Sequence, residues 1–160
     1  MYKINVMHTI YEWLNEYGES HKNETNKLIH WICVPAIVFS ILGLLYSIKL
    51  PLFWQTHQLN VGMIISGLAI IYYFTLSRSL AVGMFVFIVL CMLLAHLIER
   101  SGLIQLWLFS LMVFVAAWIG QFYGHKIEGK KPSFLKDIQF LLIGPAWLLS
   151  FIYKKWGIEL

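Results

Sequence analysis

Charged residues are spaced so widely along this chain that the apolar runs between them define its elements. Asp, Glu, Lys and Arg are absent from Leu28–Ile48, Leu50–Ser77, Ser79–Ile98 and Ser101–His125. A helix that crosses the hydrocarbon core of a bilayer needs about 20 mostly apolar residues, and each of these runs reaches that length. Each run is continuously apolar and does not alternate, which excludes a β-barrel and leaves helices. The pattern predicts spans over about 28–46, 61–76, 80–98 and 103–123. A fifth charge-free run, Ile138–Tyr153, is shorter and contains Gly144-Pro145. It reads as a short span over 138–153, a re-entrant segment or an interfacial helix.

Ahead of the first span, Ile4, Met7, Tyr11, Leu14 and Tyr17 recur at helical spacing, with Glu12, Asn15, Glu16 and Glu19 in other directions. That spacing predicts an amphipathic helix closed by Gly18. Pro35, two turns into the first span, predicts a kink. Ser77-Arg78-Ser79 and Glu99-Arg100-Ser101-Gly102 read as tight turns, and Gly124–Asp137 as the one long polar connection. No internal repeat divides the chain. The fold class is all-α: one membrane-embedded domain over 1–160, a polytopic bundle of four to five transmembrane helices behind an amphipathic segment, 1–27.

Composition agrees. Residues of the AVILMFWYC set make up 59% and charged residues 12%, against about 25% charged in an ordinary soluble domain. So few charges cannot clothe a globule, which excludes a soluble, a disordered or a disulfide-stapled secreted protein. The net charge of +4 is no nucleic-acid signature, because the basic residues flank apolar runs, where anionic headgroups and the positive-inside bias put them. The expected partner is the lipid bilayer, with no nucleic acid. With five spans, one side carries Lys3, Lys22, Lys27, Arg78, Lys126, Lys130, Lys131 and Lys136, and the other Lys49, Arg100, Lys154 and Lys155. The imbalance orients the N-terminus and the 124–137 loop to the cytoplasm, in a bacterial inner membrane or the endoplasmic reticulum. The segment ahead of Leu28 lacks the apolar core of a signal peptide, so none is expected. Cys33 and Cys91, inside apolar runs, read as buried thiols.

The histidines carry the candidate chemistry. His8 and His57 lie on the amphipathic helix and in a loop, and read as surface residues. His21, His30, His96 and His125 lie at span ends, where an ionisable residue is a functional hypothesis, set against the plain alternative of a ring edge resting among headgroups. In the N-inside topology His21, His30 and His125 converge on one membrane face. Imidazole suits Fe, Zn, Cu or Ni. Asn26 and Gln121, each one turn ahead of a histidine, are placed to orient it. Two other classes stay open on these residues alone: a non-catalytic membrane protein that binds lipid or scaffolds partners, and a bis-histidine haem protein.

The string Tyr17-Gly-Glu-Ser-His21-Lys-Asn-Glu-Thr-Asn26-Lys-Leu-Ile-His30-Trp-Ile-Cys-Val-Pro35 resembles the opening of the 2-hydroxy-fatty-acid dioxygenase family. Trp118-Ile-Gly-Gln121-Phe-Tyr-Gly-His125, Glu128-Gly-Lys-Lys-Pro132 and Gly144-Pro145 resemble its second motif region, and Leu94-Ala-His96-Leu97 matches a further family histidine. Two departures stand out. Glu24 occupies a place where the family has Pro, and Glu128 follows the last histidine by three residues where the eukaryotic pattern has four.

The resemblance implies an Fe(II)-dependent dioxygenase that shortens long-chain 2-hydroxy fatty acids by one carbon, with O2 as co-substrate. It implies His21, His30, His96 and His125 as ligands, Asn26 and Gln121 behind them, and Glu128 either fixing a loop or completing a two-histidine, one-carboxylate site. Lys126, Lys130 and Lys131 would attract the substrate carboxylate. His96 sets topology against resemblance. If the third and fourth spans form a full-depth hairpin, about 30 Å separates His96 from His125. The resemblance favours a broken or re-entrant helix that brings His96 to the iron.

Overall fold

The computed structural model describes residues 9–51, 59–129 and 134–160, the stretch 134–139 in its backbone alone. The described residues form α1 (Ile10–Gly18), α2 (Glu24–Tyr46), α3 (Val61–Leu76), α4 (Arg78–Ser101), α5 (Leu106–Glu128) and α6 (Phe134–Trp156). Helices α2, α4 and α5 are long and apolar enough to cross a membrane, and α3 is a shorter apolar helix. His8, His57, Lys130 and Lys131 lie outside the described residues, as does the start of the expected amphipathic helix.

Polar residues start the helices where the sequence leaves a short side chain before an apolar run. Thr9 and Glu12 form a capping box on α1, and the side chains of Asn23, Asn60 and Ser77 cap α2, α3 and α4. Ser77 alone separates α3 from α4, so that turn is tighter than the sequence suggests. Gly102 (φ +64°) and Gly129 (φ +71°) close α4 and α5 in the left-handed conformation that a side chain disfavours. The second closure corrects the expected 124–137 loop: α5 runs on to Glu128, so His125 stands on a helix.

Helix α2 is the centre of the bundle and packs most extensively on α5. Gly120 and Gly124, one helical turn apart on one face of α5, admit Cys33 and Asn26 of α2, and Gly43 of α2 admits Ser110. Small residues at this spacing let two apolar helices approach backbone to backbone. The outward faces stay apolar and exposed, as at Val89 and Leu93 of α4 and Val115 and Ile119 of α5.

The core divides between the two ends of the bundle. Phe39, Leu42, Tyr46, Ile88, Cys91, Ala95 and Leu106, from the C-terminal part of α2, the later part of α4 and the start of α5, form one cluster. At the other end Ile10, Leu14 and Tyr17 of α1 and Ile143, Ala146, Trp147 and Leu148 of α6 pack with Val34, Tyr73, Leu80, Ala81 and Met84. Both halves of α6 touch this second end. The Tyr73 hydroxyl, near the close of α3, donates to the Leu142 carbonyl (2.6 Å), and the Tyr153 hydroxyl donates to that of Ser79, at the start of α4 (2.6 Å). Helix α6 therefore lies across the bundle end where α2 begins. It also continues unbroken through Gly144-Pro145.

Candidate metal centre

Three of the four span-end histidines meet. His21 sits in the link from α1 to α2, His30 two turns into α2, and His125 in the last turn of α5. One nitrogen from each lies within 4.8 Å of the others, a group that could hold a metal ion. The Nε2 atoms of His21 and His30 are 2.8 Å apart, and ring centroids in the three pairs are separated by 4.2, 5.2 and 5.6 Å. His21 and His30 are buried, 4% and 1% exposed, and His125 is half-buried.

Their other nitrogens decide the chemistry. Nδ1 of His21 lies 2.6 Å from the Tyr17 carbonyl, and Nδ1 of His30 lies 2.9 Å from the Asn26 carbonyl. A carbonyl only accepts, so Nδ1–H donates in both rings and each neutral ring turns a bare Nε2 lone pair toward the other. Two lone pairs so close repel unless a proton or a cation stands against them. Two ligands about 2.1 Å from one ion, a right angle apart, lie about 3 Å from each other. The donor set thus fits a metal: imidazoles oriented by backbone acceptors, converging from three segments, with further coordination positions left open. The same closeness excludes these two rings as axial ligands of one haem, which sit on opposite faces about 4 Å apart.

Around the triad, Tyr17 grips His21 twice, through its carbonyl and through a ring stacked at 4.2 Å and 12°. Trp147 of α6 leans on both, at 5.2 Å from His21 and 5.3 Å from Tyr17. The spacing Tyr17 to His21, one helical turn, is a sequence signal that could have found the first contact. No local signal marks Trp147.

Glu128 is a loop-fixing acid here. Its carboxylate accepts from the backbone N–H of Lys22 (2.9 Å) and Asn23 (3.0 Å) and from Asn26 Nδ2 (3.1 Å). The end of α5 is thereby tied to the segment that carries His21. Asn26 is fully buried and serves the site with its backbone, since its carbonyl orients His30 while its side chain holds Glu128. Gln121 is buried one turn before His125, and Lys126 is exposed beside it.

His96 is not brought to the others. Helix α4 is continuous from Arg78 to Ser101, and Nδ1 of His96 lies 3.1 Å from the Tyr46 hydroxyl at the far end of α2. Tyr46 and His30 stand on the same helix, and their separation in sequence corresponds to about 24 Å at about 1.5 Å per residue. One ion cannot reach both, so the expectation of a broken helix and a fourth ligand is corrected.

A family model described as "2-hydroxy-palmitic acid dioxygenase Mpo1-like" matches residues 7–156. The curated protein 2-hydroxy-palmitic acid dioxygenase MPO1 of Saccharomyces cerevisiae is 28% identical over 146 residues, which cover 88% of this chain and 78% of that protein. No solved structure matches.

Proposed function

This chain belongs to the Mpo1-like family, and we propose that it is a membrane-embedded Fe(II) dioxygenase that removes one carbon from long-chain 2-hydroxy fatty acids. The observation that carries the reading is the convergence of His21, His30 and His125, with the Nδ1 atoms of His21 and His30 already committed. Iron bound there supplies the redox chemistry that lets O2 react with an organic acid, which zinc, having no accessible redox change, does not. The balance is one 2-hydroxy acid and one O2 giving the acid one carbon shorter, CO2 and water.

The chain's own residues set the conditions. Three neutral imidazoles leave the charge of the ion uncompensated, so an anionic 2-hydroxycarboxylate is drawn in by its carboxylate and hydroxyl. Glu128 is not counted among the ligands, since its oxygens are taken up by the N–H groups of Lys22, Asn23 and Asn26. Lys126, Lys130 and Lys131 add positive potential on the approach. Helices α2 to α5 cross the membrane, and α1 and α6 lie over the histidine end at the interface, where an amphiphile presents its headgroup. Lys22, Lys27, Arg78, Lys126, Lys154 and Lys155 then share that side against Lys49 and Arg100, which orients it to the cytoplasm.

The test is direct. Protein purified without a histidine tag, loaded with Fe(II) in air and given 2-hydroxypalmitate, is expected to yield pentadecanoate by mass spectrometry. Iron-loaded protein that leaves the substrate intact overturns the proposal.

A further inference from the structure

The end of the bundle remote from the triad holds a groove that the dioxygenase reading does not use. It has a volume of about 620 Å³ and runs between α3 and α4, within the roughly 300–1,000 Å³ range of sites that enclose one small ligand. Its walls are apolar: Met63 and Ile70 on α3, and Phe85, Val89, Met92 and Leu93 on α4, with Gly67 opening one side. Polarity is concentrated at one end, where His96 and Tyr46 meet. Ser66 lies lower on the wall, 9% exposed, its hydroxyl without a hydrogen-bond partner among the described residues. Protein packing alone does not complete this wall.

We infer that this groove binds a single long-chain fatty acid, its carboxyl group against His96 and Tyr46 and its tail between α3 and α4. The polar end argues for that head. The Tyr46 hydroxyl and His96 Nδ1 share one hydrogen bond of 3.1 Å. With the hydroxyl as donor, His96 keeps an Nε2–H free to donate and Tyr46 keeps lone pairs free to accept. The neutral, protonated carboxyl group of a fatty acid answers both, its C=O accepting from His96 and its O–H donating to Tyr46. A phosphate head calls for uncompensated cations, and the cation beside Tyr46, Lys49, is paired with Glu99 at 2.9 Å while lying 4.0 Å over the Tyr46 ring. The polar end also sits where the chain leaves the apolar runs, at the level of Lys49 and Glu99, so a headgroup there is at the interface and the tail is at membrane depth. This site is independent of whatever the histidine triad does.

Gly67 gives a clean probe, since a Cβ there meets nothing within 4 Å. Gly67→Leu projects a side chain into the groove from a position where its Cβ meets nothing, and His96→Leu removes the polar end. The experiment is photolabelling in phosphatidylcholine nanodiscs with a palmitic acid that carries a mid-chain diazirine, mapped by mass spectrometry. Labelling is expected to saturate, to fall on the α3 and α4 walls, to be displaced by palmitic acid, and to drop about tenfold in each variant, as loss of a well-made contact implies. Both variants are expected to keep the parent's helical circular dichroism and a cooperative melt. Labelling that does not saturate, that spreads equally onto the outer face of α5, or that stays within about twofold in either folded variant is boundary lipid and overturns the inference.

Discussion

Each end of this bundle brings a histidine together with a tyrosine, and the two ends differ in where the second imidazole nitrogen goes. At the end capped by α1 and α6, the Nδ1 atoms of His21 and His30 face backbone carbonyls, and Nε2 faces other imidazoles. At the far end, Nδ1 of His96 meets the Tyr46 hydroxyl, and no second histidine is within reach among the described residues. Burial differs as well, since His21 and His30 are buried and His96 is exposed on α4. A ligand set arises where backbone acceptors fix the tautomers of several rings and aim them at one point.

The sharpest way to break this comparison is to remove one histidine from each end. His30→Ala takes away a ligand held by the centre of the bundle, and iron content and turnover are each expected to fall at least about 100-fold, beyond the range for residues that only orient a ligand. His96→Ala is expected to keep iron and turnover within about twofold. Metal analysis of tag-free protein and product formation from 2-hydroxypalmitate read both variants. Equal losses would put His96 back in the centre and contradict the continuous α4.

Much of this was legible in the sequence, for reasons particular to each element. Charge-free runs of about 20 residues or more have few uses besides crossing a bilayer, so α2, α4 and α5 stand where the runs predict. Span arithmetic alone also put His96 at the opposite end of the bundle from His125, and the resemblance pulled the reading the other way. The course of α6 was not legible. A helix that buries Ile143–Leu148 against α1 and the start of α4 has the same apolar composition as one that spans. For Glu128 the sequence left loop-fixing and ligation both open, because its partners Lys22, Asn23 and Asn26 lie at the other end of the sequence and spacing does not choose between them.

Two carboxylates extend the comparison. Glu128 holds three donors and so ties α5 to the His21 segment, whereas Glu99 makes a partly exposed ion pair with Lys49. Glu128→Ala is expected to weaken iron affinity about 10–100-fold, as for a residue that orients ligands. Glu99→Ala loses a pair worth about 0.2–1 kcal/mol and is expected to leave iron unchanged. Iron titration and thermal melts of both variants separate a positioning role from a general loss of stability.

Two helical glycines follow, with a smaller effect. A Cβ at Gly124 would overlap Asn26 Oδ1, while one at Gly67 meets open space. Gly124→Ala forces α5 away from α2 beside His125 and is expected to cost about 1–3 kcal/mol as an overpacked contact, with iron lost in parallel. Gly67→Ala is expected to melt at or slightly above the parent temperature. If both melt alike, the close α2–α5 approach does not support the site.

The smallest expected effect compares the tyrosines. The Tyr17 ring stacks on His21, and its carbonyl orients the same imidazole. Tyr17→Leu keeps the carbonyl and an apolar side chain but removes the stacked face, a contact worth about 0.5–1.5 kcal/mol. If that energy holds His21 in its ligating pose, iron affinity falls about two- to tenfold, since about 1.4 kcal/mol is a factor of ten. Tyr46→Phe removes only the hydroxyl that meets His96, a bond worth about 0.5–1.5 kcal/mol. Stability then drops by a similar amount in the two variants, but iron affinity moves in one alone. A melt cannot tell them apart, so the deciding measurement is iron competition against a chelator of known affinity. Equal iron affinity in Tyr17→Leu and Tyr46→Phe would reduce Tyr17 to a packing residue, with the backbone carbonyl alone orienting His21.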